Sequence, residues 1–375
     1  MSRSQMFKHR VLQIANKLVR LAPIWDTEKD KSLMLEAVPA FSPTLPVNIA
    51  TIPAKNAASF QEVISYPERY MYTLKKVYVS FYGVVFRNLR IFKPSLVEPE
   101  MPNQVRNSLD MEQSLFLSHQ WSRHVTLLAP DVTHPVGLVY ELWSAINYYH
   151  WICDALPRLL LLREKHPNCT LLVPAPTPDY VVETTRKLGF HHLLGVTRGQ
   201  VLKVENLILP ELTAKGGMQN KDLINRVREE LTAGVNPVAT VSRRRIYASR
   251  SLAKMRKISN EQEVIQMLKR YDFEIVHFES LSFAQQIELV YNAQILVGMH
   301  GANLTNLLFM PRQSQVIEIM NQDYENFCYY HLASNVSVKY SCLMSAGQHG
   351  GKGRNDDDLS VNITELEAAV QAALA

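Results

Sequence analysis

Three side chains that can exchange protons or carry charge recur at intervals of four in NYYHWICDALPRL, residues 147–159. On a helix His150, Asp154 and Arg158 share one face, and Pro157 is expected to kink that helix because it removes a backbone hydrogen bond. Such a polar stripe is costly to bury in an apolar segment unless its members are paired or used in chemistry. The spacing therefore indicates either an acid–base site or a structural His–Asp–Arg triad.

A second segment whose residues could bind a ligand or take part in chemistry is QILVGMHGANLTNLLFMP, residues 294–311. It predicts a buried strand followed by a tight turn through His300 and Gly301. The next helix is predicted to begin at Ala302 or Asn303. This topology directs backbone N–H groups and the positive end of the helix dipole towards the edge of the sheet. It favours an anion, most simply a phosphate, as ligand; the alternative is an ordinary strand–turn–helix.

Basic residues follow a predicted strand end in ASRSLAKMRKISNEQEV, residues 248–264; they are Arg250, Lys254, Arg256 and Lys257. Open parallel sheets bind ligands beyond the carboxyl ends of their strands. Arginine suits a diphosphate, since its planar guanidinium can bind two oxygens at once. The alternative is a solvated basic loop that precedes the next helix.

A single acid, Glu318, interrupts the apolar strand QVIEIM at residues 315–320. Carboxylate oxygens accept hydrogen bonds from hydroxyl and guanidinium groups alike. The position therefore predicts either a contact with both ribose hydroxyls of a nucleotide or a structural pair with a nearby arginine.

Several common catalytic signatures are absent from the sequence. No G-x-G-x-x-G follows a predicted strand, which argues against a dinucleotide-dependent dehydrogenase. A P-loop ending at Lys352 fails because Ala346 and Gly353 stand where a glycine and a hydroxyl residue are needed. Asp356–Asp358 form an acidic run with no strand before it, so we expect a solvated loop there and no metal site.

From about residue 125 the chain alternates strand-like and helix-like runs, which predicts an α/β fold with parallel sheets covered on both faces. Strands are predicted at 126–130, 170–174, 205–210, 245–249, 274–278, 294–298, 315–319 and 336–340. Helices are predicted at 144–166, 178–188, 219–232, 260–271, 282–293, 302–309 and 323–334. Residues 77–92 are dense in β-branched and aromatic residues and predict two antiparallel strands.

The length of 375 residues suits two domains, and 47% apolar with 20% charged residues excludes a disordered chain. No apolar stretch reaches about 18 residues, which argues against a membrane-spanning helix.

Four widely spaced cysteines without a CxxC predict reduced, buried thiols in a reducing compartment. The apolar stretch before Asp26 is too interrupted for a signal peptide, so we expect a cytoplasmic protein.

The net charge of +5 is confined to the segment before Asp26, which carries five basic residues and no acid. These residues are Arg3, Lys8, Arg10, Lys17 and Arg20. Residues 5–22 predict a helix with an apolar stripe and a basic face. We expect residues 1–25 either to make a peripheral contact with an anionic membrane or to dock on the protein itself. A nucleic-acid enzyme would more often spread its basic residues over a groove, so no nucleic-acid partner is expected.

In their order and spacing, the segments described above resemble glycosyltransferase family 61, from about residue 130 to 345. The HGAxLTN segment carries the most specific part of the resemblance, and NYYHWICDALPRL and the SR…RKISNE run support it. The family includes bacterial capsular and lipopolysaccharide enzymes, plant xylan-decorating transferases and eukaryotic protein O-glycosylating enzymes.

The resemblance implies a GT-B-like α/β fold of two Rossmann-like lobes with a cleft between them, plus a β-rich N-terminal region. Such enzymes invert the anomeric centre and need no bound metal or other cofactor. The implied organisation is a basic arm at 1–26, an acceptor lobe at 27–235 with its β-rich entry region to about 112, a donor lobe at 236–345, and a loop with a C-terminal helix at 346–375.

The resemblance also implies roles for the candidate residues. The nucleotide-sugar, taken as UDP-linked, is expected to contact Arg250, Arg256, Lys257, His300, Gly301, Ala302, Asn303, Asn306 and Glu318. On the acceptor side we favour Asp154 as base with His150 orienting or contacting the substrate, and the reverse assignment stays open. Asn147 and Arg158 are expected to lie beside them.

The implied function is sugar transfer to a glycan or lipid-linked acceptor hydroxyl in surface polysaccharide synthesis, at the inner face of a membrane. One alternative is a non-catalytic nucleotide-sugar-binding subunit of a polysaccharide assembly complex, which would lack the acceptor-side pair. Another is a pyruvyl- or phosphosugar-type transferase on a similar fold. Donor hydrolysis, as against binding without turnover, separates these readings.

Overall fold

A computed structural model of the chain describes residues 20–22, 31–61, 63–87, 90–96, 125–127, 132, 134–198, 200–235, 244–348 and 357–375. The chain forms two compact units and passes between them more than once. The first unit takes Met1–Val38 and Pro67–Gly216, and the second takes Pro39–Tyr66 and Gly217–Ala375.

The sheet of the first unit contains ten strands in the described part of the chain and is mixed. Its main path runs Arg20–Ala22, Arg90–Phe92, Val85–Arg87, Arg69–Ser80, Val201–Pro210, Val136–Gly137, Thr170–Ala175 and Leu193–Thr197. Two further strands pair beside this path, Lys31–Leu35 with Arg69–Ser80 and Val125–Leu127 with Val201–Pro210.

The two longest strands of this sheet, Arg69–Ser80 and Val201–Pro210, are antiparallel. Along the first of them the buried side chains change from even to odd positions around Lys76, whose φ is +53°. The register is the same on both sides of this position, and only the opposed residues Lys76 and Glu205 are passed over in the pairing. The left-handed backbone at Lys76 thus accompanies the change of buried positions without a shift in register.

Helical segments cover this sheet at Tyr148–His150, Trp151–Ala155, Leu156–Lys165 and Asp179–Lys187, and a short 3-10 turn lies at Lys93–Ser95. The first three run on without a break. Leu156, Leu159 and Leu160 recur at the i, i+3, i+4 spacing of a core-facing helix stripe and are fully buried. Burial of side chains of this size stabilises the fold by about 1.5–3 kcal/mol each.

The sheet of the second unit has six described strands, in the order Phe273–Val276, Arg244–Ala248, Ala293–Met299, Gln315–Asn321, Lys339–Gly347 and Leu359–Ser360. Pairing is parallel throughout except between the last two strands. The chain starts at Arg244–Ala248, adds one strand on one side, and then adds the others beyond Ala293–Met299 on the opposite side. The order therefore reverses between Arg244–Ala248 and Ala293–Met299, which is a topological switch point.

Helices of the second unit lie at Ala54–Ala57, Lys221–Thr232, Glu261–Lys269, Phe283–Tyr291, Cys328–Val336 and Ile363–Leu374. Short 3-10 helices lie at Ile49–Thr51, Ala58–Gln61, Phe278–Ser280 and Ala302–Phe309, and Val38–Phe41 pairs with Ile64–Tyr66. Side chains cap several helix starts. Asn220 accepts from the backbone N–H of Leu223, and Ser282 forms a capping box with Gln285.

The C-terminal helix, Ile363–Leu374, packs on the core of the second unit. Leu366 and Val370 join a cluster that also holds Val264, Leu268 and Ile295. Asn362 caps the start of this helix, because the Asn362 side chain accepts from the backbone N–H groups of Thr364 and Glu365. Among the described helices, none combines the length and apolar character needed to cross a bilayer.

The predicted α/β class and most predicted strands and helices are confirmed. The first unit differs from the expected parallel sheet, because hairpin strands of the β-rich region insert beside Val201–Pro210. The strand predicted at 336–340 is wrong. Helix Cys328–Val336 ends at Ser337 in the left-handed conformation, φ +61°, and the strand follows at Lys339–Gly347.

Two predictions about the N-terminal part of the chain differ from the structure where the structure describes it. Residues 5–19 of the helix predicted at 5–22 lie outside the described residues, whereas Arg20–Ala22 form a strand parallel to Arg90–Phe92 rather than helix. Residues 39–66, expected within the first lobe, belong to the second unit. There Val47 donates its backbone N–H to the carbonyl of Tyr340, and the Asn48 side chain bonds both backbone groups of Cys342.

Candidate active site

The helix that carries His150 and Asp154 contains a widened turn at their position. Asn147 caps its start by accepting from the backbone N–H of Tyr149. Residues Trp151–Ala155 adopt π-helical geometry, and ordinary α-helix resumes at Leu156. Pro157 cannot donate a backbone hydrogen bond, so a wider turn just before it accommodates the missing donor. Single π turns within helices are frequent at functional sites.

His150 and Asp154 form a direct pair, with His150 Nδ1 2.7 Å from Asp154 Oδ2. The His150 side chain is 24% exposed and that of Asp154 only 8%. The Trp143 ring stacks at 6.1 Å from the imidazole, and the Tyr149 ring meets it edge-on at 5.1 Å. The predicted association of His150 with Asp154 is therefore present, with the histidine as the more accessible member.

Arg158 lies behind this pair and is almost completely buried. Its Nε donates to the carbonyl of Pro210 at 2.8 Å, and its Nη2 donates to the same oxygen. Burial lowers the pKa of Arg158 to about 10, although the negative charges of Glu141, Asp154 and Glu211 oppose that shift. Arg158 and the capping residue Asn147 thus serve the framework of this site, and neither placement favours the predicted contact with an acceptor.

Glu141 belongs to the same cluster and was missed by sequence reasoning. It is 2% exposed and accepts hydrogen bonds from the backbone N–H of Trp143 and from both the backbone N–H and Oγ of Ser144. Burial raises the pKa of Glu141, and the Asp154 charge adds to that effect while His150 opposes it. Its sequence signal is a lone acid in the apolar run GLVYELW, the same kind of signal that singled out Glu318.

Candidate ligand atoms of Glu141, His150 and Asp154 lie within 4.8 Å of one another, the spacing that a divalent cation would need. These side chains already bond to one another or to the backbone. Three donors meet the Glu141 carboxylate, and the His150 ring meets Asp154. A cation at this place would therefore compete with hydrogen bonds that these atoms already make.

The second candidate site lies at the switch point of the second unit. Arg250 follows the end of strand Arg244–Ala248, and His300 follows the end of the adjacent strand Ala293–Met299. In sheets of this order, ligands bind beyond the carboxyl ends of the two strands that flank the reversal. The two residues that sequence reasoning selected for phosphate binding are therefore brought to one edge.

Arg250 is held by main-chain carbonyl groups and rests on Gly301. Its Nε donates to the carbonyl of Arg256 at 2.9 Å and its Nη2 to that of Met255 at 3.3 Å. A Cβ at residue 301 would overlap the guanidinium, so glycine is needed there for the close approach rather than for its backbone freedom. Burial and the nearby charge of Arg256 both lower the pKa of Arg250, and such a crowded pair of cations favours a bound anion.

His300 is held from below by a fully buried carboxylate. Its Nδ1 lies 2.5 Å from Glu318 Oε1, and Tyr340 donates its hydroxyl to Glu318 Oε2 at 2.6 Å. Glu318 has no exposed surface. The predicted ribose contact of Glu318 does not fit this placement, because both oxygens are engaged and solvent does not reach them. Glu318 instead orients His300, whose side chain remains 12% exposed.

The turn after His300 leads into a 3-10 helix, Ala302–Phe309, rather than an α-helix. Ala302 and Asn303 form its partly exposed first turn. Asn306 is fully buried, and its side-chain amide donates to Gln286 Oε1 and to the carbonyl of Asn303. Of the two roles predicted for Asn306, the structure favours the fixing of the turn over contact with donor hydroxyls.

The basic loop is tied to the segment just before the C-terminal helix. The backbone N–H of Lys257 donates to Asp358 Oδ1 at 2.7 Å, and that of Leu359 donates to the Lys257 carbonyl. Asp357 is buried. The expectation of a solvated acidic loop is therefore wrong for Asp357 and Asp358, since a distant backbone supplies the donor; Asp356 lies outside the described residues.

A small cavity opens at this edge of the second sheet, next to His300 and Arg256. Its remaining lining residues are Met299, Asn321, Tyr324, Asp357 and Leu359. Arg256 and the His300 ring, from two loops, thus line one concavity together with Asp357.

Parts of this chain are similar to known proteins. The family model described as Glycosyltransferase 61 matches residues 148–317. The EGF domain-specific O-linked N-acetylglucosamine transferase of Drosophila melanogaster is 40% identical over 241 residues, which cover 57% of this chain and 46% of that protein. Residues 148–317 of this chain are thus similar to glycosyltransferase family 61.

The family 61 match contains both members of the His150–Asp154 pair as well as Arg250 and His300, whereas Glu141 and Glu318 lie outside it. The transferase of the same name from Pan troglodytes is 39% identical over 90 residues, or 23% of this chain and 17% of that protein. The alignment thus spans about half the length of the Drosophila relative and less of the chimpanzee one.

Proposed function

We propose that this chain is a glycosyltransferase that moves a sugar from a nucleoside-diphosphate sugar to an acceptor hydroxyl. The observation that carries the proposal is the convergence of Arg250 and His300 at the switch point of the second sheet. In the reaction, the acceptor oxygen bonds to the anomeric carbon as the bond from that carbon to the diphosphate oxygen breaks. The diphosphate leaves with the electron pair, and the acceptor proton passes to a protein base.

The leaving diphosphate needs positive charge, and this chain has groups suited to supply it. Arg250 carries a preorganised fork, Arg256 adds a second cation beside it, and the first turn of Ala302–Phe309 presents backbone N–H groups. Fixed charges and dipoles of this kind stabilise a developing anion without reorganisation during the reaction. On this basis we propose an inverting reaction that needs no bound metal.

A GT-B organisation follows from the same proposal. The second unit, with its doubly wound sheet, would hold the donor, and the first unit would supply the base through His150 and Asp154. The switch-point geometry supports the donor assignment, and the acid–base pair supports the acceptor assignment.

The names of the family 61 relatives indicate which substrates to test first. Their names specify an N-acetylglucosamine donor sugar and an EGF-domain acceptor, so we propose UDP-N-acetylglucosamine as the donor. For the acceptor we propose a hydroxyl of a glycan, either free or lipid-linked, in surface polysaccharide synthesis at the cytoplasmic face of a membrane. An EGF-domain polypeptide is the comparison acceptor in the assay.

Sugar release and transfer by the purified chain test the proposal, with mass spectrometry as readout and UDP-N-acetylglucosamine first in a panel of donors. Arg250→Ala and His300→Ala should each lower kcat/KM at least tenfold, about 1.4 kcal/mol. Arg244→Ala is the matched control, because Arg244 lies on the preceding strand and pairs with Glu274 away from the turn. EDTA should leave the rate unchanged.

Three outcomes would contradict parts of the proposal. Rates within about threefold of the unsubstituted chain for both variants, less than 1 kcal/mol, would refute the donor site. Loss of activity in EDTA that Mn²⁺ restores would refute the metal-free reaction and direct attention to Glu141, His150 and Asp154. Donor binding without turnover would favour the non-catalytic subunit.

A further inference from the structure

The structure indicates which member of the His150–Asp154 pair donates the hydrogen bond and which is accessible, and the spacing in the sequence does not. An ionised carboxylate can only accept a hydrogen bond, so with Asp154 ionised the 2.7 Å contact places a ring proton on Nδ1. In the neutral ring the lone pair is then on Nε2. Because Asp154 is the more buried partner, 8% against 24% exposed, the imidazole is the member that a substrate reaches first.

Charged groups around the imidazole favour an additional proton on it. Asp154 meets Nδ1, and Glu141, from the turn before the helix, completes a cluster within 4.8 Å. Behind them Arg158 is the buried cation, and its charge also faces Glu211 at the end of strand Val201–Pro210. Three carboxylates thus share one guanidinium. Protonation of His150 reduces the excess of negative charge, which favours the imidazolium.

The remaining neighbours hold the ring in place without adding charge. Trp143 stacks on the imidazole, and Tyr149 meets it edge-on. Glu141 fixes the turn that carries Trp143, because its carboxylate accepts the backbone N–H groups of Trp143 and Ser144. Glu141 therefore acts on His150 both through its charge and through the Trp143 ring.

We propose, on the basis of the function proposed above, that His150 Nε2 is the base that takes the acceptor proton, that Asp154 orients it, and that Glu141 is a positioning residue that raises its basicity. As the acceptor oxygen bonds to the anomeric carbon, its O–H bond breaks and the proton moves to Nε2. The resulting imidazolium then faces two carboxylates. This reverses the assignment favoured from the sequence, in which Asp154 is the base.

Nitrogen NMR of the full chain labelled with ¹⁵N-histidine tests the proposal without turnover. The His150 ring signals are assigned by their disappearance in His150→Gln. Above its pKa, His150 should show the proton on Nδ1, and Glu141→Gln should lower the pKa of His150 by about one unit, since one negative neighbour is lost. Glu205→Gln is the matched control, because Glu205 is an exposed carboxylate of strand Val201–Pro210, and should leave that pKa unchanged.

The proton on Nε2 instead would overturn the proposal, and so would a His150 pKa that is equal in Glu141→Gln and Glu205→Gln. The tautomer is read from the unsubstituted chain, so the test stands even if Glu141→Gln does not fold. With an active donor, the acidic limb of the kcat profile should move to lower pH in Glu141→Gln, which a purely structural role would not produce. A chain that shows the expected ring state but transfers no sugar contradicts the proposed function alone.

Discussion

At the scale of single residues, each polar side chain of the proposed donor site is held by a neighbouring group. Arg250 is placed by two carbonyl oxygens and by the bare Cα of Gly301. His300 is placed by Glu318, which Tyr340 holds in turn. His300 is fixed by a fully buried carboxylate and Arg250 by main-chain carbonyl groups, so both side chains are ordered before a ligand arrives.

Gly301→Ala should weaken donor binding by about tenfold, or 1.4 kcal/mol, because the added methyl group occupies the place of the Arg250 guanidinium. The measurement is a double-substitution cycle of donor affinity with Arg250→Ala. If glycine acts through Arg250, the double variant should bind no worse than Arg250→Ala alone. If the losses of donor affinity in the two single variants add up in the double variant, Gly301 affects donor binding independently of Arg250.

Sequence reasoning selected the residues of both sites but not the partners that fix their roles. His150, Asp154, Arg250 and His300 stood out because charged groups lay at strand ends or in an apolar helix. The burial of Glu318 beneath His300 depends on Tyr340 from the next strand. The importance of Glu141 depends on a turn that folds back on the helix. Such contacts join residues by tertiary packing, which a periodic pattern does not encode.

At the scale of secondary structure, the basic loop of the proposed donor site is held by a second segment, which we call the strap. The strap consists of residues 358–361, which pair with residues 257–260. Besides the bonds of Lys257, the Asn260 side chain donates to the carbonyl of Val361 and accepts its N–H. Asn260 stands at the N-cap position of helix Glu261–Lys269, where asparagine commonly caps, but its side chain makes no cap hydrogen bond there. Its side chain is used for the strap instead.

Asn260→Ala should loosen this strap, because it leaves both backbone groups of Val361 without their partner at a cost of about 1–3 kcal/mol. Hydrogen exchange measures the effect, and the amides of Val361 and Leu359 should exchange faster. Asn260→Asp keeps the side-chain acceptor, so its amide exchange rates should lie between those of the unsubstituted chain and Asn260→Ala. Unchanged exchange at Val361 in the alanine variant would show that the strap does not depend on Asn260.

At the scale of the whole molecule, the uneven charge is the feature that composition alone reveals. Five basic residues precede Asp26 and the rest of the chain is balanced. The predicted arm lies mostly outside the described residues, so its membrane contact is a proposal. Each basic residue near an anionic leaflet adds about 1 kcal/mol of attraction, and apolar insertion of a helix adds to it.

Flotation with anionic liposomes measures this contact. The full chain should float at low salt and be released at high salt, because screening weakens the attraction. A variant in which the five basic residues before Asp26 are replaced by glutamine is the matched control and should stay in the soluble fraction. Equal flotation of the two proteins would remove the arm from any membrane role.

The assignment of residues 39–66 to the second unit has a consequence for how the protein is made. Asn48 closes the edge of strand Lys339–Gly347, and Phe60 packs among Tyr330, Phe327 and Tyr340. During synthesis on the ribosome this early segment emerges long before its partners. Most of the first unit can pair its strands while residues 39–66 wait as an open loop with an apolar side chain exposed. The second unit therefore cannot be completed until residues 327–342 have emerged, and until then the nascent chain carries an unpaired segment with an exposed apolar side chain.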